Sequence, residues 1–259
     1  MKTCKLLLFD LDGTLLCDDK TISQKTLQTV LKCKDRGILI GVSTSRGEQN
    51  TLSYIQELQP EVLILSGGAL VKYREEYIYK AEFSVERAWQ IIETAREICG
   101  VDCGITIDTI DAHYCNFKVD LGIQDQNWKN SVYTDFHDFN KPSLKICVEI
   151  FDEGHAQRLQ KLLEDCDCVR FSDGYWYKFT KKAVTKEKAI VTFCDVSGIK
   201  TEEIIAFGDD YVDIGMLQLC GVGVAMGNAI DAVKEKADLI IGSNEEDGIS
   251  EYLEAEILV

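Results

Sequence analysis

Leu6-Leu7-Leu8-Phe9-Asp10-Leu11-Asp12-Gly13-Thr14 begins as a wholly apolar run and ends in two carboxylates two residues apart, with a glycine directly behind them. The run is too short for a helix and suits a strand buried on both faces. Alternation along such a strand puts Asp10 and Asp12 on the same side. Gly13 lets the backbone turn sharply where the strand stops. The carboxyl end of a parallel strand is where open α/β sheets bind their ligands. Like charges this close cannot both stay ionised unaided, so a divalent cation or a shared proton is the expected remedy. Taken alone, Asp-x-Asp also admits the plainer reading of solvated acids at the start of a loop, which fits such a motif less often.

The flanking sequence alternates apolar runs with helical patterns. Ser23 predicts the cap of a helix over 24–35, with Leu27, Val30 and Leu31 on one face and Gly37 closing it. A second strand over 38–42 ends in Ser43-Thr44-Ser45-Arg46, a helix follows over 47–58, and a third strand over 62–65 ends in Ser66-Gly67-Gly68. Strands alternating with helices predict a parallel, doubly wound sheet.

The middle of the chain reads differently. Helical patterns near 84–99 and 153–165 separate strand-like stretches at 105–109 and 144–150. In the second stretch Ile146, Val148 and Ile150 alternate with Lys145, Cys147 and Glu149, which fits a sheet exposed on one face. Asp173-Gly174 lies between Val169-Arg170-Phe171 and Tyr175-Trp176-Tyr177, a hairpin signal. After residue 184 the parallel pattern returns, with a helix near 186–196 and short buried strands at 204–207, 222–225 and 239–241. Asn228 reads as a helix cap, with Asp231 three positions on. The simplest arrangement is one α/β core built from residues 1–80 and 184–259, with a separate α+β domain of residues 81–183 inserted between.

The strand at 204–207 repeats the theme of the first, because Gly208-Asp209-Asp210-Tyr211-Val212-Asp213 follows it. A helical turn starting near 210 sets Asp209 and Asp213 on one side. Helix-dipole preference at an N-terminus accounts for one of these acids, but poorly for three. If the strand ends share one edge, Asp10, Asp12, Asp209 and Asp213 converge on a site that needs a hard cation. Carboxylate oxygens without histidine or cysteine point to Mg²⁺ over zinc. Thr44 offers a hydroxyl and neighbouring N–H groups to an anion, and Lys186 can reach a phosphate as a point charge.

Bulk properties narrow the partners. The 259 residues carry a net charge of −16, and residues 184–259 alone hold 16 acidic against 5 basic side chains. Such a surface repels nucleic acid and anionic membranes, yet admits a small phosphorylated substrate where one metal ion and one lysine reverse the sign. No apolar run approaches the length of a membrane helix or a signal peptide. Eleven cysteines form no Cys-x-x-Cys pair and are expected to be reduced, mostly buried small hydrophobes in a cytoplasmic protein. His113, His137 and His155 have no ligand spacing. Trp128 and Tyr175-Trp176-Tyr177 could line a pocket, although aromatics at strand spacing are more often packing.

Taken in order, Asp10-Leu11-Asp12-Gly13-Thr14, Thr44-Ser45-Arg46, Lys186 and Gly208-Asp209-Asp210-Tyr211-Val212-Asp213 resemble the motifs of the haloacid dehalogenase-like hydrolase superfamily. The resemblance extends to Val222-Gly223-Val224-Ala225-Met226-Gly227-Asn228 and to Glu246-Asp247-Gly248-Ile249, and so spans nearly the whole chain. Within the superfamily the chain is similar to the Cof-type phosphatases with a large inserted cap. This implies a doubly wound, Rossmann-like α/β core, an α+β cap and Mg²⁺-dependent hydrolysis of small phosphorylated metabolites by a monomer or weak homodimer. It implies Asp10 as nucleophile, and Asp12 as the acid that protonates the leaving oxygen and then activates water. Asp10, the Asp12 carbonyl, Asp209 and Asp213 would hold the metal. Thr44, Lys186 and groups around Leu11, Ser45 and Arg46 would hold the phosphate.

The chemistry agrees with these roles. Covalent catalysis divides one hard step into two, and phosphoryl transfer asks mainly for charge neutralisation and alignment. Repulsion from Asp10 is expected to keep Asp12 protonated. Two positions depart from the family pattern: Ser45 stands where glycine is usual, and Val212 where asparagine commonly helps contact substrate. A phosphomutase on the same scaffold and a non-catalytic phospho-ligand binder are the alternatives. A true dehalogenase fits less well, since it needs neither metal nor leaving-group acid.

Overall fold

The structure is a computed structural model that describes residues 4–120, 122, 125–172 and 174–259. Strand β1 (Leu6–Phe9) is buried along its whole length. Helix α1 (Gln24–Asp35) starts at Ser23, whose hydroxyl accepts from the Thr26 N–H at 3.1 Å and so satisfies a donor that the first turn leaves free. Strand β2 (Leu39–Ser43) is followed by a 3₁₀ turn (Glu48–Asn50), then helix α2 (Leu52–Leu58) and strand β3 (Val62–Leu65). The single helix expected over 47–58 is therefore broken. Thr51 leaves helical geometry there, and its hydroxyl bonds back to the Glu48 carbonyl at 2.8 Å.

Two further strands, β4 (Leu70–Tyr73) and β5 (Glu76–Lys80), were not anticipated. They form a hairpin whose two loop residues, Arg74 and Glu75, both have positive φ. Such a turn normally announces itself with Asn-Gly or Asp-Gly.

The middle of the chain contains helix α3 (Val85–Cys99), strands β6 (Ile105–Asp108), β7 (His113–Cys115), β8 (Val132–Tyr133) and β9 (Lys145–Glu149), helix α4 (Glu153–Leu162), and strands β10 (Cys166–Arg170) and β11 (Trp176–Lys181). The antiparallel pair β10–β11 lies where a hairpin was expected; Asp173 of its turn lies outside the described residues. Helix α5 (Lys186–Ser197) is capped by Thr185 and ended by Gly198. After it come strand β12 (Ile204–Gly208), helix α6 (Ile214–Leu219), strand β13 (Val222–Ala225), helix α7 (Asp231–Lys234), strand β14 (Leu239–Ile240) and helix α8 (Gly248–Glu256).

These strands form two sheets. The larger has the order β14-β13-β12-β1-β2-β3-β4-β5; it is parallel from β14 to β3, with the hairpin adding two antiparallel strands at one edge. β14 is an exposed edge, not a buried strand: Leu239 and Ile240 are 43% and 57% exposed. The smaller sheet has the order β10-β11-β9-β6-β7-β8. Each sheet has its own apolar core, and the second core draws only on residues between Phe83 and Phe179.

The smaller sheet is not open to solvent on its polar face. Lys145, Cys147 and Lys178 are each 4% exposed, because this face rests on the larger sheet's loops. Lys145 Nζ reaches the Ser45 carbonyl at 2.5 Å, and Asp108 accepts from the Ser66 hydroxyl at 2.9 Å. All eleven cysteines are unpaired, five buried and six half-buried. Among the described residues no helix is long and apolar enough to cross a membrane.

Candidate active site

Strand β1 lies between β12 and β2, where the chain's winding reverses direction. Phe9 pairs in register with Phe207 on one side and Val42 on the other. The three strands therefore deliver Asp10, Asp209 and Thr44 to one edge. Carboxylate oxygens of Asp10, Asp209 and Asp213 lie within 4.8 Å of one another. Lys186, at the start of α5, sends its ammonium into this group, 2.5 Å from Asp10 Oδ1 and 2.6 Å from Asp213 Oδ1.

Asp213 is fully buried, and its Oδ2 accepts from the N–H groups of Asp209 and Asp210, each at 3.1 Å. The turn over Tyr211–Asp213 thus exists partly to aim this carboxylate. Thr14 donates its hydroxyl to Asp209 Oδ1 at 2.6 Å. Gly13 has φ of +74°, and a Cβ there would lie 2.3 Å from Asp209 Oδ2, so no other residue fits. Asn228 is not a helix cap. Its amide donates to the Gly13 carbonyl at 2.7 Å and accepts from the Asn244 N–H, fixing the loop behind Asp10.

The cluster carries surplus negative charge. Burial pushes Asp10 well above the ordinary carboxylate range, and Asp213 and Asp209 add to this while Lys186 opposes it. Burial and the neighbouring Asp213 likewise push Asp209 up to about 7. Lys186 is the reverse case: burial disfavours its charge, but Asp10 and Asp213 outweigh that and hold its pKa above the ordinary lysine value. One ammonium cannot neutralise three carboxylates. An all-oxygen donor set with an uncompensated deficit of positive charge fits a hard divalent cation.

Beside the acids lies a patch of unused donors. The Thr44 hydroxyl accepts from the Arg46 N–H at 3.1 Å, which leaves its own proton free. Ser45 Oγ is buried without a partner among the described residues. The N–H groups of Leu11 and Ser45 meet no protein acceptor among the described residues. Such convergent donors suit an anion. Ser45 does not have a positive φ, so its side chain is accommodated without backbone strain. Val212 is half-buried.

Asp12 stands apart from the other three carboxylates. Arg46 grips it with Nε and Nη2, each 2.6 Å from a carboxylate oxygen, and Lys20 approaches at 3.1 Å. Burial would raise its pKa, but Arg46 and Lys20 outweigh burial and hold it at about 2. The expectation that repulsion from Asp10 keeps Asp12 protonated does not hold in this arrangement. Arg46 Nη1 bonds to Asp125, and the guanidinium lies 5.3 Å from the Trp128 ring and 5.6 Å from that of Tyr54. Trp128 thus packs on Arg46.

Sequence reasoning missed the groups that the smaller sheet brings to this edge. Asp108 collects Ser66, His113 at 2.7 Å and Lys145 at 2.9 Å. Lys178 packs on Gly67. A usable signal was present, since lysines within otherwise apolar or aromatic strands contradict ordinary strand composition.

The haloacid dehalogenase-like hydrolase family matches residues 7–253. The chain belongs to this family. It is 30% identical over 260 residues to the 5-amino-6-(5-phospho-D-ribitylamino)uracil phosphatase YitU of Bacillus subtilis, covering 96% of each chain. It is 24% identical to the pyridoxal phosphate phosphatase YbhA of Escherichia coli, covering 99% of this chain and all of that one. Among solved structures, a haloacid dehalogenase-like hydrolase from Bacteroides thetaiotaomicron superposes with a TM-score of 0.84 at 25% identity, over 98% of this chain and 99% of the other. The fold is that of the haloacid dehalogenase-like hydrolases, and the chain is a phosphoric monoester hydrolase of the superfamily.

Proposed function

We propose that this hydrolase is a Mg²⁺-dependent phosphatase of small phosphorylated metabolites, working through a phosphoryl group carried on Asp10. Residues 81–183 act as the cap over a core of residues 1–80 and 184–259. The observation that carries this reading is Lys186, whose ammonium lies 2.5 Å from Asp10 within the cluster of Asp10, Asp209 and Asp213. The relatives named above act on a ribitylaminouracil phosphate and on pyridoxal phosphate, both small phosphomonoesters, which supports the substrate class.

Asp10, Asp209 and Asp213, with the Asp12 carbonyl, would hold Mg²⁺, which would supply positive charge against the phosphoryl oxygens. Lys186 favours the ionised form of Asp10 against the burial that disfavours it, and adds a second positive charge. The Thr44 hydroxyl and the N–H groups of Leu11 and Ser45 hold the remaining oxygens and align phosphorus with Asp10. A carboxylate oxygen of Asp10 then bonds to phosphorus as the bond to the leaving oxygen breaks. Asp12 donates a proton to that oxygen. In the second step Asp12 takes a proton from water, the water oxygen bonds to phosphorus, and the Asp10 carboxylate is freed.

The ionised Asp12 beside Arg46 is in the form that the second step needs. Before the first step Arg46 must loosen so that Asp12 can carry a proton. The test is phosphate release from a panel of phosphorylated metabolites, with Mg²⁺ and with excess chelator. Release that requires Mg²⁺ is expected; equal release in chelator would remove the metal from the mechanism.

A further inference from the structure

Four cationic side chains are buried among the described residues: Arg46, Lys145, Lys178 and Lys186. Arg46 has Asp12 and Asp125, Lys145 has Asp108, and Lys186 has Asp10 and Asp213. Lys178 is 4% exposed, and among the described residues no carboxylate lies within ion-pair distance of it. A buried charge without a partner is costly, and proteins rarely keep one without a use for it.

The placement of Lys178 suggests that use. It sits on β11 in register with Cys147 of β9, on the polar face turned toward the larger sheet. A Cβ on Gly67 would lie 2.7 Å from its Nζ, so the ammonium rests against the turn that follows β3. The Gly67 N–H bonds the Thr44 carbonyl at 3.0 Å, which ties that turn to the phosphate-side residues. Lys178 also lines a cavity of about 600 Å³ along β10 and β11, walled by Val169, Thr180, Lys182 and Thr185. That volume suits a small organic group. Two acids line the cavity: Asp167 is neutralised by Lys182 at 3.3 Å and the Ala183 N–H at 2.7 Å, while Glu164 is exposed to solvent. Burial and the charges of Lys186 and Lys145 push the Lys178 pKa down to about 8, as expected of a cation that awaits an anion.

We propose that Lys178 makes the site selective for phosphomonoesters whose leaving group carries a second anion, a carboxylate or another phosphate. The inference rests on the phosphatase reading above. The transferring phosphoryl group is served from the core by Lys186, Thr44 and the free N–H groups. Lys178 comes from the smaller sheet, and the cavity it lines reaches Thr185, the residue before Lys186, so on this proposal that cavity takes the rest of the substrate.

The test compares 3-phosphoglycerate with glycerol 3-phosphate, which carry a carboxylate and a hydroxymethyl group in the same place, on the full chain with Mg²⁺. The expected kcat/KM favours the acid by about tenfold or more, chiefly through KM. In Lys178→Met this ratio falls toward one, while Lys178→Arg keeps part of it. Calorimetric titration of the Asp10→Asn chain with the same two esters gives a second readout, with the acid bound about tenfold more tightly. Equal wild-type affinities, or an unchanged ratio in Lys178→Met, overturn the proposal. If instead p-nitrophenyl phosphate and both esters all resist turnover, the phosphatase reading fails and this inference falls with it.

Discussion

Arg46 holds both carboxylate oxygens of Asp12 at 2.6 Å while its remaining nitrogen reaches Asp125, so an acid of β1's loop and an acid ahead of β8 share one guanidinium. The fork geometry is what allows this, and a lysine cannot reproduce it. Asp12 is 42% exposed, so water screens its half of the arrangement; Asp125 is 4% exposed and depends on Arg46. Arg46→Lys should lower kcat by about tenfold or more while the chain stays folded. Steady-state kinetics beside circular dichroism check this. Wild-type kcat in a folded Arg46→Lys chain would mean that the fork does not govern Asp12.

Asp10→Asn should abolish turnover, since an amide is not nucleophilic. The same change removes one of three crowded carboxylates, whose repulsion and burial already push Asp10 upward. Without added metal, the melting temperature of Asp10→Asn should therefore equal or exceed that of the wild type. A folded variant with near-normal activity would exclude Asp10 as the nucleophile.

Mg²⁺ should stabilise the protein through the acid cluster. An ion at a hundred times its Kd adds about 2.7 kcal/mol. For a chain of this size that corresponds to a rise in melting temperature of roughly 5–10 °C. Thermal unfolding with and without Mg²⁺ measures the rise. Asp209→Asn should reduce it strongly, because one of the three carboxylate charges facing the ion is lost. An undiminished shift would place the ion elsewhere.

Lys178 gives stability a pH dependence of definite sign. Its pKa is about 8 in the folded chain against an ordinary value of 10.5. Below about pH 8 it is charged in both states, and the full cost of burial falls on the folded one. Between about 8 and 10.5 the folded state loses its proton first, so this group's contribution to stability rises with pH. Lys178→Met should thus be more stable than the wild type at pH 7, by roughly 1–3 kcal/mol. The difference should shrink toward pH 10. Denaturant unfolding of both chains at the two pH values would reveal a constant difference if the charge is not the cause.

What the sequence disclosed depended on how local the signal was. The strand at Leu6–Phe9 and the helix capped by Ser23 are set by neighbouring residues, and both were readable. Of the four carboxylates expected to converge, Asp10, Asp209 and Asp213 do, and they were readable because each stands next to a recognisable strand or helix end; Asp12 turns to Arg46 instead. The β4–β5 hairpin was hidden because Arg74 and Glu75 adopt positive φ without Gly or Asn to announce it. The pairing of Asp12 with Arg46, and the burial of Lys145 and Lys178, arise from one sheet resting on the other. Such long-range contacts leave no local pattern. The exposed edge strand Leu239–Ile240 was misread for the same reason, since an apolar dipeptide does not reveal whether a neighbour covers it.

The most direct measurement is rapid-quench mass spectrometry of the chain during turnover of a good phosphomonoester with Mg²⁺. A phosphoryl group should be found on the peptide that begins before Asp10, assigned to Asp10 by fragmentation, formed within the first turnover and missing from Asp10→Asn. Steady turnover with no phosphoryl group on Asp10 at any quench time, together with an Asp10→Asn chain that still releases phosphate, would contradict the covalent mechanism.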